Sequence, residues 1–280
     1  MIKPKQKNEA LIADIASFES KNSYKVWWLG QSGFLLKYKS QTLLFDPYLS
    51  DSLSKKYEHT DKPHVRMSDL VVSPALLRNI DIVTSSHNHT DHLDAETLLP
   101  IFEHNPKAHF VFPAANQDFI SERLGKEIKN STGLTQNESV KIGEFEIRAL
   151  PAAHNEMEKD ELGRCRFLSF VVRFGDFAIY HSGDTLWYEG LEKLLAKEQL
   201  DLAFLPINGN KRERRVAGNL NFREAAELGK IADIQCVIPH HYHLFEFNTE
   251  DPENFKKACL ETGTSFKVLE LGEGVEFSKN

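Results

Sequence analysis

Between residues 85 and 94 the chain reads Ser-Ser-His-Asn-His-Thr-Asp-His-Leu-Asp, which places four metal-competent side chains, His87, His89, Asp91 and His92, within six residues. The apolar run Ile80-Asp81-Ile82-Val83-Thr84 before it predicts a short buried strand. Asp94-Ala95-Glu96-Thr97-Leu98-Leu99 after it predicts a helix that opens on an Asp cap. The cluster therefore sits on a turn at the carboxyl end of a strand, where rigid elements can fix ligands on a loop. In an extended turn His87 and His89 project to the same side and can grip one ion, while Asp91 and His92, further round the bend, are placed for a second. A lone histidine is usually a packing or surface residue, and the chain has twelve. It is the combination and spacing that carry the signal.

Three further candidates each follow an apolar strand-like run. Leu150-Pro151-Ala152-Ala153 leads to His154; Ala178-Ile179-Tyr180-His181-Ser182-Gly183 leads to Asp184; Val237-Ile238-Pro239 leads to His240, His241, Tyr242 and His243. Strand ends at one rim of a sheet converge in space although they are distant in sequence. Imidazole and carboxylate without thiolate suit zinc, manganese or iron. Two such ions about 3.5–4 Å apart can share a hydroxide and clamp attacking and leaving oxygens. A carboxylate such as Asp184, with two oxygens, is the natural bridge.

The formal net charge of −7 argues against a nucleic-acid or anionic-membrane surface as the main partner, which would need a positive field. It leaves room for a small anionic substrate held by local arginines. The basic start Met1-Ile2-Lys3-Pro4-Lys5-Gln6-Lys7 is followed by no apolar segment, and eighteen apolar residues nowhere run together, so the cytoplasm is the expected compartment. Cys165, Cys236 and Cys259 are widely spaced without a CxxC, which speaks against a disulfide framework or a thiolate zinc site.

Leu11, Ile12, Ile15 and Phe18 are spaced for an amphipathic helix over 8–19, within an N-terminal extension of about residues 1–22. Strand-like runs at 24–29, 34–38 and 42–45, joined by Gly30-Gln31-Ser32-Gly33 and Ser40-Gln41, predict an antiparallel meander closed by Asp46-Pro47. Residues 48–74 lack periodicity, and a loop of that length is a candidate lid. Strands are then expected near 80–85, 108–112, 139–142, 144–150, 167–174, 177–181, 202–206, 236–238, 266–270 and 274–277, with Gly175-Asp176 as a hairpin turn. Helices are expected near 94–103, 114–124, 187–197, 222–232 and 251–261. No repeat or linker divides the chain. The pattern is α/β (α+β): two sheets face to face with helices outside, four layers in a single domain spanning 1–280.

His87-x-His89-x-Asp91-His92 with His154, Asp184 and His241 downstream resembles the metallo-β-lactamase superfamily of metal-dependent hydrolases. Val26-Trp27-Trp28-Leu29-Gly30-Gln31-Ser32-Gly33-Phe34, His181-Ser182-Gly183-Asp184, Leu205-Pro206-Ile207-Asn208-Gly209 and Ile238-Pro239-His240-His241-Tyr242 resemble its L-ascorbate-6-phosphate lactonase branch. N-acyl-phosphatidylethanolamine phospholipase D is a more distant relative of that branch. The resemblance implies an αββα sandwich with a metal site at its edge, holding one or two divalent ions, manganese or zinc, with iron as the other option. By it, His87, His89 and His154 hold the first ion, Asp91, His92 and His241 the second, and Asp184 lies between. The family pattern favours His241 over His240. The lactonase lacks a histidine where His154 stands, so this chain follows the wider superfamily, which implies a complete two-metal site. The branch also implies assembly into homo-oligomers. A di-iron oxygen or nitric-oxide reductase is disfavoured, because that branch has a Glu where Asn88 stands.

The expected activity is hydrolysis of a lactone or ester of a small phosphorylated, sugar-like molecule by a hydroxide held between the ions. Asp91 would orient it and Asp184 would bridge, and these two are the catalytic candidates. A phosphodiesterase using the same site and a non-catalytic metal sensor are the alternatives. For substrate contacts, Lys211-Arg212-Glu213-Arg214-Arg215 follows Asn208-Gly209-Asn210 on a loop leaving the metal rim, where Arg212, Arg214 and Arg215 could clamp an anion. Arg164 and Arg166 are weaker candidates. Tyr242 and His243, beside a ligand, could polarise a substrate oxygen or donate a proton. Trp27 and Trp28 read as core.

Overall fold

The computed structural model describes residues 1–279. Among these, helix α1 (Glu9–Ser17) precedes the meander β1 (Ser23–Gly30), β2 (Gly33–Tyr38) and β3 (Gln41–Phe45). Helix α2 (Ser52–Tyr57) leads to β4 (Ile82–Thr84), α3 (Ala95–His104), β5 (His109–Pro113), α4 (Gln117–Leu124) and β6 (Ser131–Leu134). The second half runs β7 (Ser139–Ile142), β8 (Phe145–Pro151), β9 (Leu168–Phe174), β10 (Phe177–His181), α5 (Leu191–Ala196) and β11 (Leu202–Pro206). It closes with α6 (Phe222–Ile231), β12 (Val237–His240), α7 (Pro252–Thr262) and β13 (Gly274–Ser278).

These strands form two mixed sheets, a seven-stranded one in the order β13-β1-β2-β3-β4-β5-β6 and a six-stranded one in the order β12-β11-β10-β9-β8-β7. The sheets meet through aromatic rings. Phe34 of β2 stacks on Phe204 of β11 at 3.9 Å, Phe45 of β3 on the ring of His181 at 4.9 Å, and Tyr24 of β1 meets Phe174 and Phe177 edge-on. Because strands β4, β10, β11 and β12 are buried along their whole length, they read as continuous apolar runs rather than alternating ones.

Strand direction positions the site. In the first sheet β1, β3, β4 and β5 all point the same way, and in the second β8, β10, β11 and β12 do. The turns that follow β1, β3, β4, β8, β10 and β12 carry Gln31, Asp46, the His87–His92 cluster, His154, Asp184 and His241.

Strands at 139–142, 177–181 and 202–206 have the bounds expected from sequence. Five features differ. The stretch 266–270 makes only an isolated bridge, Val237 to Phe266, because the chain merely passes the β12 edge. Helix α5 begins at Leu191, not 187, since Gly190 adopts a left-handed φ of 86° just before it. Strand β6 is an edge strand of sequence Ser-Thr-Gly-Leu, too short and polar to show a period. Finally, the 48–74 segment contains α2, whose Leu53 packs with Tyr48, Leu244 and Phe245 in a small separate apolar cluster. The α3 cap also differs in detail: the Asp94 carboxylate accepts the Thr97 hydroxyl rather than a backbone N–H.

Candidate metal centre

Two groups of side chains come together where the two sheets' strand ends meet. His87, His89 and His154 form one, and Asp91, His92, Asp184 and His241 the other; within each group the potential ligand atoms lie within 4.8 Å of one another. Asp184 joins them. Its Oδ1 is 2.9 Å from His241 Nε2 and 3.3 Å from His92 Nε2, and its Oδ2 is 3.6 Å from His154 Nε2. The β10 turn reaches this point only because residue 183 is Gly. A Cβ there would lie 2.6 Å from the Ser86 side chain and 3.0 Å from the Leu168 carbonyl.

Three of the rings are oriented from behind, as metal-ligating histidines commonly are. His154 Nδ1 donates to the Gly218 carbonyl at 2.8 Å, His92 Nδ1 to Asp46 Oδ2 at 2.7 Å, and His87 Nδ1 lies 3.0 Å from Ser86 Oγ. Their Nε2 atoms are thereby turned toward the cluster. Phe167 packs its ring against His87, His89 and His154.

Charge is balanced in a manner that suits a cation. Burial and the charges of His92 and His89 push His87 well below an ordinary histidine, and burial holds His154 down at about 4. Burial opposes charge on His92 as well, yet the nearby Asp184 and Asp91 carboxylates and the hydrogen bond to Asp46 lift it well above the usual value. Burial likewise opposes ionisation of Asp184, but the charges of His241 and His92, both close against it, hold its carboxyl well below the usual range. His87 Nε2, His92 Nε2 and Asp184 Oδ1 are buried with no hydrogen-bond partner among the described residues. Orphaned donors and acceptors of this kind are costly unless something else occupies them. The donor set is nitrogen and oxygen only, and Cys165, Cys236 and Cys259 are buried and free elsewhere. The residues therefore fit borderline divalent ions such as zinc, manganese or iron.

Two residues that sequence reasoning missed support the cluster. Asp46, fully buried after β3, accepts from His92, the Ser86 backbone N–H and the Thr84 hydroxyl. Gln31, after β1, donates through Nε2 to Asp91 Oδ2 at 2.8 Å and contacts His241 Nδ1 at 3.0 Å. Gln31, Asp46 and His241 all have left-handed backbones, with φ of 48°, 38° and 63°. Such conformations cost non-glycine residues roughly 1–2 kcal/mol each. The only sequence signal for Asp46 and Gln31 was that each closes a strand of the meander.

His241 belongs to the cluster and His240 does not. The His240 ring lies between Ser32 Oγ (3.2 Å) and Ser182 Oγ (3.1 Å), stacked parallel to His181.

A cavity of about 520 Å³ opens over the cluster. Asn88, His89, Asp91, His154, Asp184 and His241 face it from below, Tyr57, Phe119, Phe167, Phe245 and Phe247 supply aromatic walls, and Lys56, Lys62, Arg123 and Arg215 supply positive charge. Of the expected substrate contacts, Arg215 alone lines it. Arg214 turns inward to the Asn208 and Thr249 carbonyls, and Arg212 lies in a short 3-10 turn outside the lining. Asn208 is buried and bonded to Asn219 and Asn248. Tyr242, which follows the left-handed His241, faces away, stacks on Trp28 at 4.2 Å and donates to the Leu269 carbonyl at 2.6 Å. His243 lines a different, smaller cavity behind the site. Arg164 and Arg166 lie outside the lining, Arg164 paired with Asp160 and Arg166 with Glu158, an acidic side chain that does line the cavity. The 48–74 segment does border the cavity, through Leu53, Lys56, Tyr57, Lys62 and His64. Among the described residues no helix is long and apolar enough to cross a membrane.

Residues 25–241 match the model of the beta-lactamase superfamily domain. A UPF0173 metal-dependent hydrolase of Pelotomaculum thermopropionicum is 30% identical over 257 residues, covering 90% of this chain and 99% of the relative. One of Caldivirga maquilingensis is 27% identical over 248 residues, covering 88% and 94%. Among solved structures, the isothiocyanate hydrolase from Delia radicum gut bacteria superposes with a TM-score of 0.73 at 20% identity, over 91% of this chain and 100% of that one. At that identity the likeness speaks for the fold alone. The matched span and the full-length relatives agree with the sheet order and the strand-end cluster: the chain belongs to the metallo-β-lactamase superfamily, within the UPF0173 metal-dependent hydrolase family.

Proposed function

We propose that this protein hydrolyses a lactone or ester of a small anionic molecule. The observation that carries the reading is the sharing of one cavity by the two ligand groups and by a cationic, aromatic-walled mouth. In this scheme His87, His89 and His154 would hold one divalent ion and Asp91, His92 and His241 a second, with Asp184 available to either. Ions bound there would supply Lewis-acid polarisation of the scissile carbonyl and a water acidic enough to attack at neutral pH. The chain's own residues do the rest. Asp91, fixed by Gln31, faces the cavity and accepts a hydrogen bond from the attacking water, orienting it. Lys56, Lys62 and Arg215 draw in and hold the anionic part of the substrate, and the ring-lined walls exclude bulk water. The motif likeness to the lactonase branch favours acyl over phosphoryl chemistry.

The test is hydrolysis of a phosphorylated lactone and of a generic phosphodiester, in parallel, by zinc- and manganese-loaded protein, with Asp184→Asn as control. Lactone turnover that disappears with bound metal in the variant is expected. Diester turnover alone would make the protein a phosphodiesterase. No turnover of either with metal bound would favour a binding or sensing role.

A further inference from the structure

The 48–74 segment brings into the cavity a histidine that neither the metal scheme nor the anion contacts use. Of its two histidines, His59 is exposed, but His64 is half-buried and lines the same cavity as His89, Asp91, Asp184 and His241. Three aromatic rings fix the His64 ring. It stacks on Tyr57 with centroids 4.2 Å apart, and Phe247 and Phe245 meet it edge-on at 4.5 and 5.1 Å. Nδ1 lies 3.1 Å from the Lys62 carbonyl oxygen. A carbonyl can only accept, so Nδ1 carries the proton. Burial draws the group below an ordinary histidine; the Lys62 carbonyl and the Asp91 carboxylate act against this, and Lys62 and Lys56 act with it. The ring is therefore neutral near pH 7, with its lone pair on Nε2, while Nδ1 is the ring atom engaged by the protein.

The consequence is chemical. Lys56, Lys62 and Arg215 at the mouth offer only donors, suited to anionic oxygens, whereas His64 Nε2 offers only an acceptor. An anionic oxygen placed against that lone pair would be repelled, and a hydroxyl would be held.

Resting on the hydrolase reading above, we propose that His64 is a specificity-determining residue that contacts the substrate, its Nε2 accepting a hydrogen bond from a substrate hydroxyl. Anchoring on a ring locked by its neighbours makes this contact selective. A site that bonds a hydroxyl loses that bond when the analogue lacks it, and so discriminates between the two.

The experiment compares zinc-loaded wild type, His64→Phe and His64→Gln, each checked for equal metal content. The probes are a phosphorylated hydroxy-γ-lactone, its deoxy analogue, and the matching non-hydrolysable cyclic ethers. Two readouts are taken: the ratio of kcat/KM for the two lactones, and the 15N resonance of the His64 ring, assigned by its loss in His64→Phe, on titration with each ether. Wild type is expected to favour the hydroxylated lactone by at least about tenfold, the worth of one well-placed hydrogen bond. His64→Phe should bring the ratio near unity, and His64→Gln, which keeps an acceptor, should restore part of it. The hydroxylated ether alone should shift Nε2. Equal discrimination in wild type and His64→Phe, with no ring shift, would overturn the role of His64 and leave the hydrolase reading standing. An Nε2 shift specific to the hydroxylated ether, with neither lactone hydrolysed, would support the contact and overturn the hydrolase reading instead.

Discussion

Asp46 Oδ2 and His92 Nδ1 lie 2.7 Å apart with both side chains fully buried, and that pair fixes the His92 ring with its Nε2 toward the centre. Asp46→Asn preserves shape but replaces an acceptor that takes the His92 proton, the Ser86 N–H and the Thr84 hydroxyl together. Loss of an outer partner of this kind lowers metal affinity by about 10- to 100-fold. Competition against a chelator of known affinity measures it. Unchanged affinity would mean that Asp46 serves the fold and not the centre.

His154 gives a pH dependence with a definite sign. Burial holds its folded pKa at about 4, against an ordinary value of 6.5. Between these values the unfolded chain takes up the proton and the folded chain does not. The stability contributed by neutral His154 is thus whole above about pH 6.5, declines as pH falls to about 4, and is then spent, a total of up to about 3 kcal/mol. In chelator-treated protein the melting temperature should therefore fall over this window, and fall less in His154→Gln. Identical slopes would show that the ring titrates in the fold as it does in the open chain.

Tyr242→Phe should separate packing from chemistry. The hydroxyl donates to the Leu269 carbonyl, and the ring stacks on Trp28 away from the cavity. Removing it costs about 1 kcal/mol, or roughly 2–4 °C in melting temperature. The kcat should stay at the wild-type level. A large fall in kcat without a thermal shift would return Tyr242 to the reacting centre.

Arg215 is held by an ion pair that a substrate could replace. Its Nη1 is 2.7 Å from Asp61 Oδ2, with the two side chains 58% and 77% exposed, while Lys62 Nζ donates to the Arg215 carbonyl at 2.6 Å. Asp61→Asn frees the guanidinium and should lower KM for an anionic lactone, while Arg215→Ala should raise it by about tenfold, the loss of one charge-assisted hydrogen bond. Neither should shift the melting temperature, since exposed pairs add little. A neutral ester serves as the control. Equal effects on both esters would remove Arg215 from charge recognition.

The residues that converge at the centre were legible where short-range order carried them. His87, His89, Asp91 and His92 announce themselves by spacing, and His154, Asp184 and His241 by standing just past apolar runs that become β8, β10 and β12. What remained hidden depends on long-range closure. Asp46 lies 46 residues from His92 and Gln31 lies 210 from His241, so no local pattern links them. Adjacency in sequence also misled. Tyr242 and His243 follow a ligand candidate, yet the positive φ of His241 turns the chain away from the cavity. The arginine run was legible only in part: Arg215 lines the cavity, but a charge cluster says nothing about which guanidinium will be captured by backbone carbonyls, as Arg214 is.

The centre straddles a seam. Gln31, Asp46 and His87 to His92 hang from the edge of one sheet, and His154, Asp184 and His241 from the edge of the other. Its dimensions are therefore those of the gap between the sheets, which rings such as Phe34 on Phe204 and Phe45 on His181 set like shims. Interiors this dense pass strain on instead of absorbing it. A change of volume in the middle of the sandwich would move Asp184 against His92 without touching either, so the apolar filling of this fold is also the caliper of its chemistry.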